Sequence, residues 1–199
     1  MSPSITPDFD FPGSKVLPPA TLAHVVLRTA SLKTMQDFYI KFLGGTVTYA
    51  NDMISFVTYD EEHHRVALIG IPSTAPKVAT SCGLEHIAFS FNTLGDLLLA
   101  YRQRKLRGID PVWCVNHGPT TSIYYKDPDG NMLETQVDNF DTVNEATAFM
   151  KSVKFAENPI GTDFDAEAMI DRLRRGEDEK VLKVREENGP RGMPDLASM

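Results

Sequence analysis

The stretch Gly83-Leu84-Glu85-His86-Ile87-Ala88-Phe89 decides the fold, because an earlier stretch repeats its pattern. In Leu22-Ala23-His24-Val25-Val26-Leu27, as in Leu84-Glu85-His86, a histidine stands two residues after a leucine and begins an apolar run. Short apolar runs of this kind are typical of buried strands. The matching positions indicate that the chain contains two copies of one structural unit.

The first copy continues with a helix and three strands. Ser31 can cap a helix with an apolar face, and Gly44-Gly45 can end it. Three short segments rich in strand-forming residues follow, separated by polar turns. They lie at 46–49, 53–59 and 65–71.

The second copy repeats this order. A helix is predicted over 94–107, with Gly108 as its stop, and strands are predicted over 111–115, 121–125 and 132–136. The turn Asp127-Pro128-Asp129-Gly130-Asn131 joins the last two strands and is a strong hairpin signal. The sequence therefore predicts an α+β fold of two side-by-side βαβββ modules, at about 20–72 and 82–140.

The flanking segments differ from this pattern. Residues 1–19 contain several prolines and little periodicity, which predicts an extended arm. The segment 141–199 predicts a helical tail, with helices over 144–153 and 165–175, the second capped by Asp165. From Gly176 onward the chain is charged and then rich in Gly and Pro, so we expect it to be partly disordered or wrapped around a partner.

Composition excludes some classes of partner. The net charge of -7 provides no basic surface for a phosphate backbone, so nucleic acid is not expected as a partner. No apolar run approaches the ~20 residues that span a bilayer, and the N-terminus lacks the order of a secretory signal. We therefore expect a cytoplasmic protein without membrane contact, in which Cys82 and Cys114 stay reduced.

Three residues in the repeated units are candidate metal ligands. Equivalent first strands bring His24 and His86 toward a shared axis, and the last strand of the second module adds Glu134. Two histidines and one carboxylate leave positions open for substrate and dioxygen, as in non-haem Fe(II) enzymes, and Mn(II) accepts similar ligands. The alternatives are that each histidine is an ordinary core residue and that Glu134 lies on a solvated face.

The first module indicates how many residues bind the metal. The position equivalent to Glu134 falls near Ala67 or Leu68, neither of which can coordinate a metal. We therefore expect a three-ligand site.

These features resemble the vicinal oxygen chelate superfamily (glyoxalase, bleomycin resistance and dioxygenase proteins). Within it they resemble the one-domain type I extradiol ring-cleaving dioxygenases. The resemblance covers Leu22 to Val137 and, weakly, Asn158-Pro159-Ile160-Gly161. It implies a curved mixed sheet around Fe(II), to which a catechol binds through two vicinal oxygens before dioxygen cleaves a ring bond next to the diol.

Three further residues resemble residues of the extradiol dioxygenases in particular. His64 resembles a histidine that acts as acid and base beside the metal, and His117 and Tyr124 resemble residues that contact the substrate hydroxyls. Chemically, a histidine near neutral pKa can exchange a phenol proton, and a tyrosine hydroxyl can donate to a charged oxygen. The alternatives are that His63 and His64 are solvated turn residues and that Tyr124 and Tyr125 are ordinary strand aromatics. Strand alternation allows only one of the two tyrosines to serve.

The sequence leaves three functions open. The first is an Fe(II)-dependent extradiol dioxygenase acting on a substituted catechol. The second is another metal-dependent reaction of the superfamily, such as isomerisation or thiol transfer, and the third is a non-enzymatic protein that binds an aromatic ligand. Because the chain lacks the second pair of modules that many extradiol enzymes carry, we expect a homodimer, with the tail covering the pocket or the interface.

Overall fold

The computed structural model describes residues 9–11, 13–78, 80–192 and 194. Part of the predicted N-terminal arm, residues 1–8 and 12, lies outside the described residues. The described residues between 9 and 24 form no helix or strand. The first module then follows as β1 (Val25–Thr29), α1 (Leu32–Leu43), β2 (Thr46–Ala50), β3 (Ile54–Thr58) and β4 (Val66–Gly70).

The second module has the same element order. It consists of β5 (His86–Phe91), α2 (Leu94–Lys105), β6 (Trp113–Asn116), β7 (Thr120–Lys126) and β8 (Met132–Asp138). The strand order is β1-β4-β3-β2 in the first sheet and β5-β8-β7-β6 in the second, where a further short strand, β9 (Thr162–Asp163), extends the edge beyond β6. The predicted α+β fold of two βαβββ modules is confirmed.

Two predicted element ends differ from the structure. β1 begins at Val25 and not at Leu22, because the carbonyls of Leu22 and Ala23 accept hydrogen bonds from the Arg65 guanidinium, at 3.1 and 2.9 Å. Ser31 is the residue before α1, but its side chain makes no capping hydrogen bond. Gly44 does end α1, in the left-handed conformation (φ 65°) that glycine adopts without a steric cost.

The register of the paired strands shows which residue of one module corresponds to which residue of the other. β5 and β8 are parallel, and Ala88 faces Glu134. β1 and β4 are parallel as well, and Val26 faces Ala67. Because His24 and His86 precede Val26 and Ala88 by two residues, Ala67 is the first-module counterpart of Glu134. An apolar methyl group therefore stands where a fourth ligand would be needed.

The core joins the modules through the sheet faces that carry the helices. Phe42 of α1 packs edge-on against Phe89 and Tyr125 of the second module, with ring centroids 6.1 and 5.3 Å apart. Arg104 of α2 donates from Nε to the Phe42 carbonyl at 2.9 Å, which satisfies an acceptor at the end of α1. One apolar cluster contains buried side chains from both modules.

The C-terminal region contains helices, as predicted, and folds back on the second sheet. Partial disorder was expected from Gly176 onward, but a further helix forms there and Leu182 is buried. Its helices are α3 (Val143–Met150), α4 (Val153–Glu157), α5 (Ala166–Arg174) and α6 (Glu179–Leu182). The single helix predicted over 144–153 ends at Met150, and a new one starts after Ser152, whose side chain accepts a hydrogen bond from Phe155 N–H. Asp165 caps α5, as predicted. None of the helices in the described part of the chain is long and apolar enough to cross a membrane.

Candidate active site

A histidine and a carboxylate meet on two neighbouring strands of the second sheet. His86 opens β5, and Glu134 lies in β8, where it is 5% exposed. His86 Nε2 lies 3.0 Å from Glu134 Oε2. The bond to Glu134 raises the pKa of His86. Burial acts to raise the pKa of Glu134, but hydrogen bonds to His86 and Ser122 outweigh it and lower that pKa.

Glu134 belongs to a row of four side chains that crosses the sheet. The cross-strand pairs are Trp113 with Tyr124, Tyr124 with Glu134, and Ala88 with Glu134. Directly opposed residues share a face of the sheet. Ala88 is small and exposed, so the row is open beside Glu134 at the β5 edge. At the other end the indole of Trp113 stacks on Tyr124, with ring centroids 5.1 Å apart.

Tyr124 lies between the carboxylate and a second histidine. Its hydroxyl is 3.0 Å from His117 Nε2. Burial, followed by the charge of Glu134, raises the pKa of Tyr124, so its phenol keeps its proton at neutral pH. Tyr125 points to the opposite face and packs in the core against Phe42. Of the two tyrosines, the structure therefore brings only Tyr124 to Glu134.

His117 is held by the turn that follows α4. Its Nδ1 contacts the Ile160 carbonyl, which can only accept, so Nδ1 carries the hydrogen. In the neutral ring Nε2 then has a free lone pair for the Tyr124 hydroxyl. Burial lowers the pKa of His117, although the Ile160 bond opposes the shift. His117 is therefore a neutral imidazole at pH 7, oriented to accept a proton at Nε2.

The turn itself approaches the strand closely. Asn158 accepts from Gly161 N–H at 2.7 Å and donates to the Gly161 carbonyl at 3.1 Å. Gly161 has φ 105°, and a Cβ there would lie 2.3 Å from the carbonyl oxygen of Asn116. Only glycine fits this approach, which places the Ile160 carbonyl against His117.

The remaining two predicted residues lie together in the first module. The rings of His24 and His64 are 4.4 Å apart, and His64 stacks on Phe56 at 4.6 Å. His64 is 9% exposed, whereas the adjacent His63 is exposed. Burial, and then His24 and His63, lower the pKa of His64. His64 is therefore a buried neutral imidazole and not a solvated turn residue.

The six predicted residues thus form two groups. His86, Glu134, Tyr124 and His117 are connected through contacts in the second module, and His24 and His64 form a separate contact in the first. Within the described ranges, no three His, Cys, Asp or Glu side chains have the arrangement of a metal site. His24 does line a cleft of about 250 Å³ with Ala88, the strand partner of Glu134.

The residue types near Glu134 match the chemistry of a metal-binding set, although the structure does not bring the three predicted ligands into one cluster. A buried carboxylate is costly unless it is paired or bound to a cation. The imidazole of His86 lies beside Glu134. The exposed ring of His24 faces the cleft, which is also lined by Ala88, the strand partner of Glu134. Two imidazoles and a carboxylate are the donor set expected for Fe(II) or Mn(II).

Sequence reasoning missed several residues around the site. Trp113 could have been found, because the hairpin register places it opposite Tyr124 on the next strand. Ile160 acts through its backbone, which gives no signal in the residue type. A cavity of about 620 Å³ lies beside the C-terminal segment and is lined by Asp163, Arg172 and Glu186 among others, but by none of the six predicted residues.

Sequence comparison finds a matching family model and similar proteins. The sequence model of the Glyoxalase/Bleomycin resistance protein/Dioxygenase superfamily matches residues 21–135. The chain is 46% identical over 155 residues to biphenyl-2,3-diol 1,2-dioxygenase 2 of Rhodococcus globerulus, covering 77% of this chain and 82% of that protein. It is 45% identical over 166 residues to biphenyl-2,3-diol 1,2-dioxygenase 3 of the same organism, covering 82% and 87%.

A solved structure supports the fold alone. The glyoxylase/bleomycin resistance protein/dioxygenase domain from Frankia sp. EAN1pec superposes with a TM-score of 0.53 at 18% identity, covering 63% of this chain and 96% of that one. The family match, the two identities above 40% and the paired βαβββ modules agree with one another. This chain belongs to the Glyoxalase/Bleomycin resistance protein/Dioxygenase superfamily.

Proposed function

We propose that the protein is an extradiol dioxygenase that cleaves the aromatic ring of a substituted catechol of the biphenyl-2,3-diol type with dioxygen. The observation that carries this proposal is the connected set of His86, Glu134, Tyr124 and His117 on one sheet. A protein that only bound an aromatic ligand would need no buried carboxylate next to a proton-accepting histidine. The identity to two proteins named as biphenyl-2,3-diol 1,2-dioxygenases favours this chemistry over isomerisation or thiol transfer.

His24, His86 and Glu134 would hold a metal ion, which we propose is Fe(II), with Mn(II) as the alternative. When bound, the ion supplies the redox chemistry that lets dioxygen react with an aromatic diol. Glu134 is suited to this role because its lowered pKa keeps it ionised at neutral pH. Ala67, opposite β1 in the first module, has no donor atom, which keeps the number of protein ligands at three.

Tyr124 and His117 would together remove one proton from the catechol. Tyr124 keeps its hydroxyl hydrogen, so it can donate a hydrogen bond to an anionic substrate oxygen. His117, neutral and bonded through Nδ1, can accept a proton at Nε2 through the Tyr124 hydroxyl. The stacked indole of Trp113 shields this pair at one end of the row.

His64 would be a second acid and base, beside His24. It contacts His24 and does not belong to the proposed ligand set. Its lowered pKa leaves the ring neutral at pH 7 and able to take a phenol proton. Stacking on Phe56 fixes the plane of the ring.

Anaerobic loading with Fe(II), followed by oxygen uptake with a panel of catechols, tests the reaction. We expect uptake with biphenyl-2,3-diol and a yellow ring-opened product that carries both atoms of ¹⁸O₂ by mass spectrometry. Metal analysis of the purified protein should give iron or manganese. Bound zinc or nickel without oxygen uptake would favour the other reactions of the superfamily instead.

Single variants test the residue roles. His24→Ala, His86→Ala and Glu134→Ala should each lose bound metal, whereas His64→Ala should keep the metal and lose turnover. His63→Ala removes an exposed imidazole whose Nδ1 contacts His64 Nδ1, and it should keep the metal and lose less turnover than His64→Ala. Equal metal loss from His64→Ala and Glu134→Ala would contradict the role given to His64.

The proposal includes a homodimer in the cytoplasm. Phe9, Phe11, Val16 and Leu17 in the N-terminal arm are each more than 80% exposed, and a second copy would cover such side chains. Free Cys82 and Cys114 agree with a reducing compartment. Sedimentation checks the dimer, and a monomer with full activity would remove it from the proposal.

A further inference from the structure

Arg185 is a buried cation in the segment that follows α6. It is 6% exposed, and its guanidinium lies over the ring of Phe149, 5.1 Å from the centroid. Its Nη2 and Nε donate to Glu187 Oε2 and Oε1, at 2.8 and 3.3 Å. Its other hydrogen bonds in the described residues are to backbone carbonyls. A buried charge is stable only when its donors are partnered, so these bonds fix the position of the group.

The guanidinium joins the strand end that carries His117 to the turn after α4. Nη1 donates to the carbonyls of His117 and Asn158, at 3.1 and 2.7 Å, and Nη2 donates to the Lys154 carbonyl at 3.1 Å. The planar fork of arginine directs these donors in fixed directions. One side chain therefore bridges His117 and the turn.

That turn carries the carbonyl that orients the His117 ring. Asn158 is bonded to Gly161 in both directions, and Ile160, between them, accepts from His117 Nδ1–H. His117 is thus held at its backbone carbonyl by Arg185 and at its ring by a turn that Arg185 also holds.

We propose that Arg185 is a positioning residue for His117. It keeps the Ile160 carbonyl against Nδ1, so the ring stays in the Nδ1–H tautomer with the Nε2 lone pair directed at the Tyr124 hydroxyl. Arg185 acts through His117 and does not contact the reacting groups. Its effect on turnover rests on the proposed dioxygenase function, whereas its effect on the tautomer does not.

Other hydrogen bonds also anchor the segment that carries Arg185. Loss of Arg185 therefore tests its effect on His117 and not the attachment of the segment. Asn116 Nδ2 donates to the Lys183 carbonyl at 2.9 Å, and Thr162 Oγ1 donates to the Glu186 carbonyl at 2.7 Å. Lys183 Nζ donates to the Asp138 carbonyl at 2.9 Å. The segment therefore stays attached without Arg185, and the pairing of β9 with β6 still holds the turn near Asn116. What is lost is the link that Arg185 makes from the His117 carbonyl to the turn.

Nitrogen NMR on the metal-free protein tests the tautomer directly. Long-range ¹H–¹⁵N spectra distinguish Nδ1–H from Nε2–H imidazoles, and His117→Gln identifies the signal. In the wild type we expect His117 to be a single Nδ1–H tautomer near neutral pH. In Arg185→Met we expect a mixture of tautomers, and in Arg185→Lys, which keeps the charge but lacks the fork, an intermediate result.

Trp113 gives a second readout, because it is the only tryptophan in the sequence and its ring lies 5.6 Å from that of His117. Its emission should change in Arg185→Met. Arg172→Met is the matched control: Arg172 pairs with Glu177 in the same region and has no bond to His117 or Asn158 in the described residues. It should leave the tautomer and the emission unchanged.

Turnover completes the test. Per bound iron, kcat of Arg185→Met should fall by about tenfold to a hundredfold, the effect of a small misplacement of a catalytic group, while KM stays close to the wild-type value. An unchanged tautomer in a folded Arg185→Met, or an unchanged kcat per iron in an active enzyme, would overturn the proposal. If the wild type cleaves no catechol, the dioxygenase proposal fails, and the tautomer comparison alone decides the role of Arg185.

Discussion

The hydroxyl of Tyr124 has one hydrogen and two acceptors beside it. His117 Nε2 lies 3.0 Å away, and the carboxylate of Glu134 interacts with the same hydroxyl. A single hydrogen cannot serve both acceptors at once. The hydroxyl hydrogen can therefore turn from one acceptor to the other without movement of the rings. A proton relay requires this freedom.

Removing this hydroxyl should slow turnover more than it weakens binding. Tyr124→Phe keeps the ring that stacks on Trp113 but breaks the link between Glu134 and His117. We expect kcat to fall by about a hundredfold, within the range for loss of general acid–base catalysis. Steady-state oxygen uptake measures it. Tyr125→Phe is the control, because that hydroxyl lies on the core face, and an equal loss there would contradict the assignment to Tyr124.

His117 also makes the stability of the metal-free protein depend on pH. Its pKa is lower in the folded protein than in the unfolded chain, because burial disfavours the charged ring. Between these two pKa values the unfolded state binds more protons, so the free energy of unfolding falls as the pH falls below the ordinary histidine range. His117→Asn, which can still donate to Ile160, should lose less stability over the same range.

Urea denaturation between neutral and mildly acidic pH, with a chelator present, measures this difference. A His117→Asn curve parallel to that of the wild type would show that His117 does not contribute.

Single residues were predictable from sequence where a repeat or a period constrains them. The repeat identified His24 and His86, and alternation separated Tyr124 from Tyr125. The contact between His24 and His64 was not predictable, because it depends on how a loop before β4 folds over Phe56. The turn composition around His64 left a solvated position open as the alternative, and the structure shows that His64 is buried.

At the scale of elements, the turn after α4 depends on Gly161. Gly161→Ala would add a Cβ only 2.3 Å from a backbone oxygen at φ 105°. The backbone cannot yield as a flexible side chain would, so the turn must move away from His117. We expect a loss of about 1–3 kcal/mol in the free energy of unfolding, together with a lower kcat per iron.

The control for this variant is Gly176→Ala. Gly176 also has positive φ, 85°, but a Cβ there would meet no atom within 4 Å. Gly176→Ala therefore has the backbone strain of positive φ but no steric clash, and Gly176 lies outside the turn after α4. Chemical denaturation and oxygen uptake should show a smaller stability loss and unchanged turnover per iron. Equal losses from both variants would mean that the close approach to Asn116 is unimportant.

The strands and helices of the two modules were largely predictable, because each has a short period and a terminating glycine or polar turn. The C-terminal region was predictable only as helices. Nothing in the sequence relates Arg185 to His117, since 68 positions separate them and their bond involves a backbone carbonyl. The same holds for β9, a strand of two residues that has too little sequence to show a period.

At the scale of the whole molecule, the two modules share one core and should unfold together. Tyr39 of α1 donates its hydroxyl to Asp127 Oδ2 at 3.0 Å, across the boundary between the modules. Asp127 also accepts from Asn131 and Asp129, so the hairpin turn of the second module is built around a carboxylate that the first module helps to stabilise. Phe42 and Arg104 add apolar and polar contacts across the same boundary.

Tyr39→Phe should therefore weaken both modules equally. The variant keeps the buried ring but removes a hydrogen bond to a buried charged group, a loss of about 1.5–3 kcal/mol. Circular dichroism reports both modules and Trp113 fluorescence reports the second, so coincident urea transitions in wild type and variant would indicate one cooperative unit. Tyr49→Phe, at an exposed position, should leave the midpoint unchanged. If the fluorescence transition of Tyr39→Phe moved while part of the circular dichroism signal did not, the modules would be separable, and the cleft between His24 and Ala88 could open without global unfolding.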